Sequence, residues 1–314
     1  MDKKDKKDKD TGITGGNRMS FKSGFVAIAG RPNVGKSTLT NRLAGEKISI
    51  ISSKPQTTRN TVKAIVNTED SQIIFIDTPG IHKPKNKLGE YMVNLAENTL
   101  NEVDVVLFLT EAADGEPGAG DTYIMGQLAR LKTPVFLVIN KIDLIKKELL
   151  PAMISKYISI MDFKAVIPIS ALSGDGTGIV LDEIRKRLPE GPKYFPDDIL
   201  TDQPEKMIAA ELIREKILES VFEEVPHGTG VKVISFKERS GREMVDIEAV
   251  IYCEKESHKS ILIGKNGKML KKIGTLARTD IENLLGVKVF LQLWVKVKPD
   301  WRNSENMLKT LGYK

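Results

Sequence analysis

From residue 25 onward, short apolar runs alternate with longer amphipathic segments. The runs FVAIAG (25–30), SQIIFID (71–77), DVVLFLT (104–110), PVFLVIN (134–140) and AVIPIS (165–170) are rich in Val and Ile. Their length and composition predict strands buried on both faces of a parallel sheet. The amphipathic segments between them predict crossover helices, which makes an α/β repeat. TVKAIVNTEDSQIIFID departs from this, because two strand-like runs flank Asn67, Thr68, Glu69 and Asp70. So short a polar turn predicts a hairpin, and therefore a mixed sheet with one antiparallel strand.

The pattern changes after residue 188. LPEGPKYFPDDILTDQP (188–204) holds four prolines and a glycine. Proline lacks a backbone donor and resists helix and sheet interiors, so a semi-rigid linker is expected over 189–204. Beyond it, an amphipathic helix is expected over 208–222, with Ile213, Ile217 and Val221 on one stripe. Strands are expected over 231–238, 244–253 and 287–297. In the last, Val287, Val289, Leu291, Leu293, Val295 and Val297 occupy alternate positions. No repeat links the two halves, and the second is a small α+β unit.

Residues 1–22 are charged, low in complexity and poor in apolar side chains, so a disordered tail is expected, with Met1 and Met19 both candidate starts. The expected division is a tail (1–22), an α/β domain (23–188), the linker (189–204) and an α+β domain (205–314).

Composition narrows the chemistry. The 314 residues are 40% hydrophobic and 29% charged, enough apolar material for two cores. Cys253 is the single cysteine, no apolar run approaches the ~18 residues of a membrane span, and the N-terminus has no apolar signal core. A reducing, cytoplasmic setting is expected. His82, His227, His258 and one cysteine cannot assemble a zinc site or a Ser-His-Asp hydrolase with any spare candidates. The net charge of +6 is unevenly spread: over 259–314 twelve Lys or Arg stand against four Asp or Glu. That basic end predicts an anionic partner.

Gly30-Arg31-Pro32-Asn33-Val34-Gly35-Lys36-Ser37 fits G-x-x-x-x-G-K-[ST] between a strand-like and a helix-like run. The glycines let the loop curl its N–H groups toward phosphate oxygens, and the following helix adds its N-terminal dipole. Lys36 supplies a point charge to the β and γ phosphates, and the Ser37 hydroxyl suits Mg²⁺. Gly30, Asn33, Val34, Gly35, Lys36, Ser37 and Thr38 are the expected nucleotide-binding set here. Asp77-Thr78-Pro79-Gly80 ends the second hairpin strand. Asp77 is placed to hold Mg²⁺ through water, and the Gly80 N–H to sense a γ-phosphate.

Asn140-Lys141-Ile142-Asp143 ends another strand, where open α/β sheets bind ligands. A carboxylate at Asp143 accepts hydrogen bonds from guanine N1–H and the 2-amino group, a donor pair that adenine lacks. Ser170, Ala171 and Leu172 follow the next strand, and their backbone N–H groups are candidates for guanine O6.

GRPNVGKS, DTPG, NKID and SAL in this order resemble the translation-factor-like GTPases of the Era and EngA group, over about residues 24–188. The resemblance implies a Ras-like P-loop GTPase domain that cycles between GTP and GDP with Mg²⁺. The group's switch motif is similar to Gln56-Thr57-Thr58-Arg59. By that likeness Thr58, with Thr57 second, joins Ser37 and Asp77 as a metal ligand. In some relatives the asparagine at the position of Asn33 ligates K⁺, so Lys36, Thr58 and Asn33 are the catalytic candidates. Ras-like enzymes place a water-orienting glutamine directly after D-x-x-G, where this chain has Ile81. Slow turnover without a partner is therefore expected.

Gly264-Lys265-Asn266-Gly267 lies between two helix-like segments. It matches the GXXG loop with which KH domains clamp four nucleotides. Lys259, Lys265, Lys268, Lys271 and Lys272 surround it, so these with Gly264, Asn266 and Gly267 are the expected RNA-binding set. The helix, two strands, helix, loop, helix, strand order over 205–297 resembles a type II KH domain. Trp294 and Trp301 are expected to pack, in the core or against a partner, rather than stack on bases.

The whole arrangement over 24–305 is similar to the Era family of bacterial GTPases. That likeness implies binding to small-subunit ribosomal RNA near its 3′ end, a role in assembly of the small ribosomal subunit, and in some members peripheral attachment to the inner membrane. A monomer is expected. Two alternatives stand beside it: an RNA chaperone or scaffold whose nucleotide is structural, and a membrane-associated regulatory GTPase.

Overall fold

The computed structural model describes residues 20–52, 54, 57–81, 84–241 and 243–313. The expected tail lies mostly outside this set, as do both candidate starts and Gln56. Its boundary moves, however: strand β1 spans Lys22–Gly30, and Lys22 already pairs with Ser71.

The chain continues as α1 (Lys36–Ala44), β2 (Val62–Asn67), β3 (Ser71–Asp77), α2 (Lys87–Asn101), β4 (Val105–Glu111), α3 (Ala119–Leu128), β5 (Val135–Asn140), α4 (Leu150–Ile158), β6 (Ala165–Pro168) and α5 (Thr177–Arg187). The sheet order is β2-β3-β1-β4-β5-β6. Only β2 runs antiparallel, paired to β3 across the Asn67–Asp70 turn, and the remaining pairs are parallel. β4 and β5 are buried on both faces because helices cover both sides. β4 starts one residue later than the apolar run, since the Asp104 carboxylate is occupied by the Phe25 N–H at 2.8 Å.

The proline-rich stretch is irregular, but it is strapped to the sheet rather than spanning free space. Glu190 bridges to Lys22, Ser23 Oγ donates to the Pro192 carbonyl at 2.7 Å, and Ile65 N donates to Leu200 O at 2.9 Å. Gln72, fully buried, accepts from Tyr194 N at 2.7 Å and donates to Phe195 O at 2.8 Å. Prolines leave carbonyls without a competing donor, and the sheet edge supplies the donors.

The second unit comprises α6 (Glu205–Ser220), β7 (Gly230–Glu238), β8 (Met244–Cys253), α7 (Glu256–Ile263), α8 (Lys268–Leu285), β9 (Lys288–Val297) and α9 (Glu305–Thr310). The expected 208–222 helix thus starts and ends earlier; Val221 is extended (φ −122°) but remains buried beside Ile217. The sheet order is β7-β8-β9, with β8 and β9 parallel. Ile213, Ile217, Ile273, Ala277 and Ile281 from the helices meet Val245, Ile247, Ile251 and Val289 in one core.

The two tryptophans part company. Trp301 is fully buried and donates from Nε1 to Gly228 O at 2.8 Å. Trp294 is 54% exposed on the outer face of β9, so of the packing expected for it the core is excluded and only packing against a partner remains. Its strand position alternates as expected, but among the described residues no helix covers that face.

Candidate nucleotide site and nucleic-acid loop

The loop after β1 needs its glycines for steric reasons. Gly30 has φ +154°, and a Cβ there would lie 2.4 Å from Leu109 O; Gly35 has φ +100°, and a Cβ would lie 2.2 Å from Asn140 Nδ2. Only glycine fits both the conformation and the space. Asn33 takes a left-handed turn (φ 68°), and α1 begins at Lys36 with free N–H groups facing the loop. Lys36 is buried, with Nζ donating to Gly30 O at 3.1 Å and Arg31 O at 2.9 Å. Burial pushes its pKa down to about 8, against the pull of Asp77. An ammonium held this way gains strongly from a phosphate, which restores favourable charge contact without new desolvation.

Three oxygens converge beside it. Ser37 Oγ donates to Asp77 Oδ2 at 2.8 Å, and Thr58 Oγ1 lies 3.0 Å from Ser37 Oγ and 3.5 Å from Asp77 Oδ2. Asp77 is fully buried, burial raises its pKa, and its Oδ1 has no hydrogen-bond partner among the described residues. A buried carboxylate with an orphan oxygen beside two hydroxyls is an all-oxygen donor set of the kind Mg²⁺ takes. Thr57 instead turns its hydroxyl to Lys54 O at 2.6 Å, inside its own loop. Of the two threonines, Thr58 is the one brought to Ser37 and Asp77.

Pro32, Asn33, Lys36, Thr38, Thr58 and Gly80 are among the residues lining a cavity of about 270 Å³. A Cβ on Gly80 would come within 3.0 Å of Pro32 N, so the DTPG turn lies directly against the loop. Ile81 is buried in the cluster with Ala96 and Leu100 of α2, away from the cavity.

At the other end, Asn140 is buried and braces two loops: Nδ2 donates to Val34 O at 2.8 Å, and Oδ1 accepts from Ala171 N at 2.9 Å. The Ala171 N–H, expected to face a base, is therefore engaged by Asn140. Lys141 adopts a left-handed turn, lines the cavity and pairs with Glu111. Asp143 is exposed in the Ile142–Leu144 turn. Ser170 is buried, with Oγ accepting from Ser173 N at 3.2 Å, while Leu172 is exposed. Arg42 donates to the carbonyls of Ala171 and Leu172, holding this loop to α1.

Several residues escaped the motif reading. Arg31 is tied to Asp114 and, at 2.8 Å, to the buried Asp121, which anchors the phosphate loop to α3. The second unit grips the segment around Thr58. Arg214 of α6 donates to Thr57 O, Lys54 donates to Leu218 O and Val221 O, and Glu215 accepts from Ile51 N at 2.8 Å. Arg59, 1% exposed, donates to Thr229 O at 2.6 Å and His227 O at 3.1 Å. Arg59 sits inside the QTTR signature, but no local pattern reveals that it enters the other unit.

The GKNG loop joins α7 to α8. Gly264 (φ 71°) lies against Met269, where a Cβ would sit 2.7 Å from the Met269 Cβ; Gly267 (φ 74°) faces open space. Lys265, Asn266, Lys268, Lys271 and Lys272 are exposed, and these lysines have no ion pair among the described residues. Lys259 is half-buried with a loose 3.8 Å contact to Glu256. The loop thus presents backbone and ammonium groups together.

Residues 25–141 match a family described as 50S ribosome-binding GTPase, and residues 224–302 match the KH domain family. The chain is 62% identical to the GTPase Era of Ruminiclostridium cellulolyticum, over 94% of this chain and 99% of that protein. It is 56% identical to the GTPase Era of Alkaliphilus metalliredigens, over 94% of this chain and all of that one. The crystal structure of Era in complex with MgGDPNP and nucleotides 1506–1542 of 16S ribosomal RNA is 43% identical, covers 93% of this chain and 99% of its own, and superposes with a TM-score of 0.90. With that identity and coverage along both units, the chain belongs to the GTPase Era family.

Proposed function

We propose that this chain is a GTP-hydrolysing switch that binds small-subunit ribosomal RNA near its 3′ end and acts in assembly of the small ribosomal subunit. One observation carries the reading. Thr58 stands at Ser37 and Asp77, while its neighbours Thr57 and Arg59 are held by the unit that bears the GKNG loop. The RNA complex of the related Era supports the choice of partner.

Lys36 and the N–H groups at the start of α1 bind the nucleotide's phosphates, and Asp143 reads the guanine edge. Ser37, Thr58 and Asp77 would hold Mg²⁺, which neutralises phosphate charge as it develops. The DTPG turn lies against Pro32 at Gly80, and the Gly80 N–H is the proposed sensor of a γ-phosphate. Because Ile81 is apolar and buried, water orientation falls to backbone, another side chain or a partner, and turnover alone is slow. Asn33, beside the cavity, is the proposed K⁺ ligand. Replacing K⁺ with Na⁺ lowers turnover in the wild type and leaves Asn33→Ala unaffected; equal wild-type rates in both salts would discard that role.

The switch requires a difference in RNA affinity between nucleotide states, since a ligand indifferent to them shifts nothing. RNA affinity measured with GDP and with a non-hydrolysable GTP analogue tests this. Equal affinities would leave the nucleotide a structural role. Among the described residues no helix is long and apolar enough to cross a membrane. Peripheral inner-membrane attachment, with the chain otherwise cytoplasmic and monomeric, rests on the same lysines; flotation with anionic vesicles checks it.

A further inference from the structure

Among the described residues, helices pack on one face of the second unit's sheet; on the other, Val250 is buried (2% exposed) between its row neighbours Lys232 and Trp294. α6, α7 and α8 pack on the side of Val245, Ile247, Ala249, Ile251 and Val289. Cross-strand register defines the other side: Lys232, Val250 and Trp294 form one row, Lys237, Asp246 and Phe290 another, and Tyr252 lies beside Lys296. Trp294 is 54% and Phe290 47% exposed there, the Phe290 ring with the Arg239 guanidinium 5.5 Å from it. Along β9 the outward positions read Lys288, Phe290, Gln292, Trp294, Lys296, an alternation of cation, polar group and aromatic ring.

Two features identify the occupant. Lys232, Lys237, Arg239 and Lys296 face this side against Asp246 and Glu248, Asp246 is paired with Arg239 at 2.7 Å, and Lys288 at the start of β9 is paired with Glu282 of α8 at 3.6 Å. Protein interfaces are depleted of lysine at their centres, whereas single-stranded nucleic acid is bound by cations interleaved with rings on which bases stack. β9 is also the free edge of the sheet, and its inner face packs on α7 and α8, which flank the GKNG loop. RNA leaving that four-nucleotide clamp past the edge strand meets the outer face next.

We propose that the outer face of the β7-β8-β9 sheet is a second RNA-contacting surface, where unpaired bases stack on Trp294 and on the Arg239–Phe290 pair and phosphates meet Lys232, Lys237 and Lys296. This rests on the RNA-binding reading above and extends it to a face that the GXXG loop does not reach.

The full-length chain is titrated with a four-nucleotide single-stranded RNA and with longer ones carrying the same four. The chain has two tryptophans, and Trp301 is fully buried, so quenching of the accessible emission reports Trp294. Longer RNA is expected to quench it, and Trp294→Ala to weaken longer RNA roughly tenfold while leaving the four-nucleotide RNA unchanged. Trp294→Phe keeps a ring and restores most of the affinity; Phe290→Ala repeats the loss at a second site. Unchanged binding of longer RNA by Trp294→Ala, while Gly267→Asp abolishes it, would overturn this surface and leave the clamp intact. So would a photocrosslinker at position 294 that captures protein and no RNA. Failure of every RNA to bind the wild type would remove the RNA reading itself.

Discussion

Arg59 Nη1 donates to the Thr229 carbonyl at 2.6 Å, joining two residues 170 positions apart. The guanidinium is fully buried, is hydrogen-bonded to carbonyls and the Tyr313 hydroxyl rather than to a carboxylate among the described residues, and lies 5.8 Å from the Trp301 ring. Burial holds its pKa below the ordinary value. Leu88 and Met92 of α2 join Trp301, Leu308 and Tyr313 in a small core, so the segment after β9 packs on α2, the helix that follows Gly80.

Arg59→Ala leaves the Thr229 and His227 carbonyls without this donor and opens a cavity. A stability loss of about 2 kcal/mol in urea unfolding is expected. The more telling readout is the ratio of RNA affinities with GDP and GTP analogue, which should move toward one. An unchanged ratio would show that the two units communicate by another route.

Lys36 makes the nucleotide-free protein sensitive to alkaline pH. Its folded pKa is pushed down to about 8 from the ordinary 10.5, so between those values the unfolded chain holds more protons and stability rises with pH. Below pH 8 both states are protonated and the cost of the buried ammonium is constant. Lys36→Met should flatten this component of the unfolding profile, and so should saturating Mg²⁺ and GDP, because phosphate favours the charged lysine. A slope that survives Lys36→Met would assign it to another group.

Asp143→Asn replaces an acceptor pair with an amide. Competition binding should show preference moving from guanine toward xanthine nucleotides, with GTP weakened roughly tenfold to a hundredfold. The residue is exposed, so stability should change little. Retained guanine preference would place base selection elsewhere.

The two loop glycines separate folding from binding. A side chain at Gly264 meets Met269 in a conformation suited to glycine, so Gly264→Asp should lower stability as well as RNA affinity. Gly267→Asp enters open space, with only the cost of a left-handed turn, and places a negative charge where phosphate approaches. Thermal unfolding and RNA titration of both variants check this; equal RNA binding by Gly267→Asp and wild type would remove the clamp.

Much of this protein is written locally. Strand content followed from runs of Val and Ile, the hairpin from a four-residue polar turn, and the phosphate loop from glycines whose φ values exclude other residues. These features depend on neighbours in the chain, and periodicity and turn chemistry express them directly. Even the alternation of β9 was legible, although the outward position of Trp294 was not, because alternation names two faces without saying which one is covered.

What tertiary structure decided is long-range. The choice of Thr58 over Thr57 came from which hydroxyl reaches Ser37 and Asp77, and adjacent threonines look alike in a sequence. Asn140 became a brace between two loops, and the proline-rich stretch a strap, because distant backbone groups offered partners. Arg59, Arg214 and Lys54 acquired their positions from contacts across more than 150 residues. A sequence pattern encodes each residue's preference for burial, but the partner of a buried charge is determined only when the two units pack.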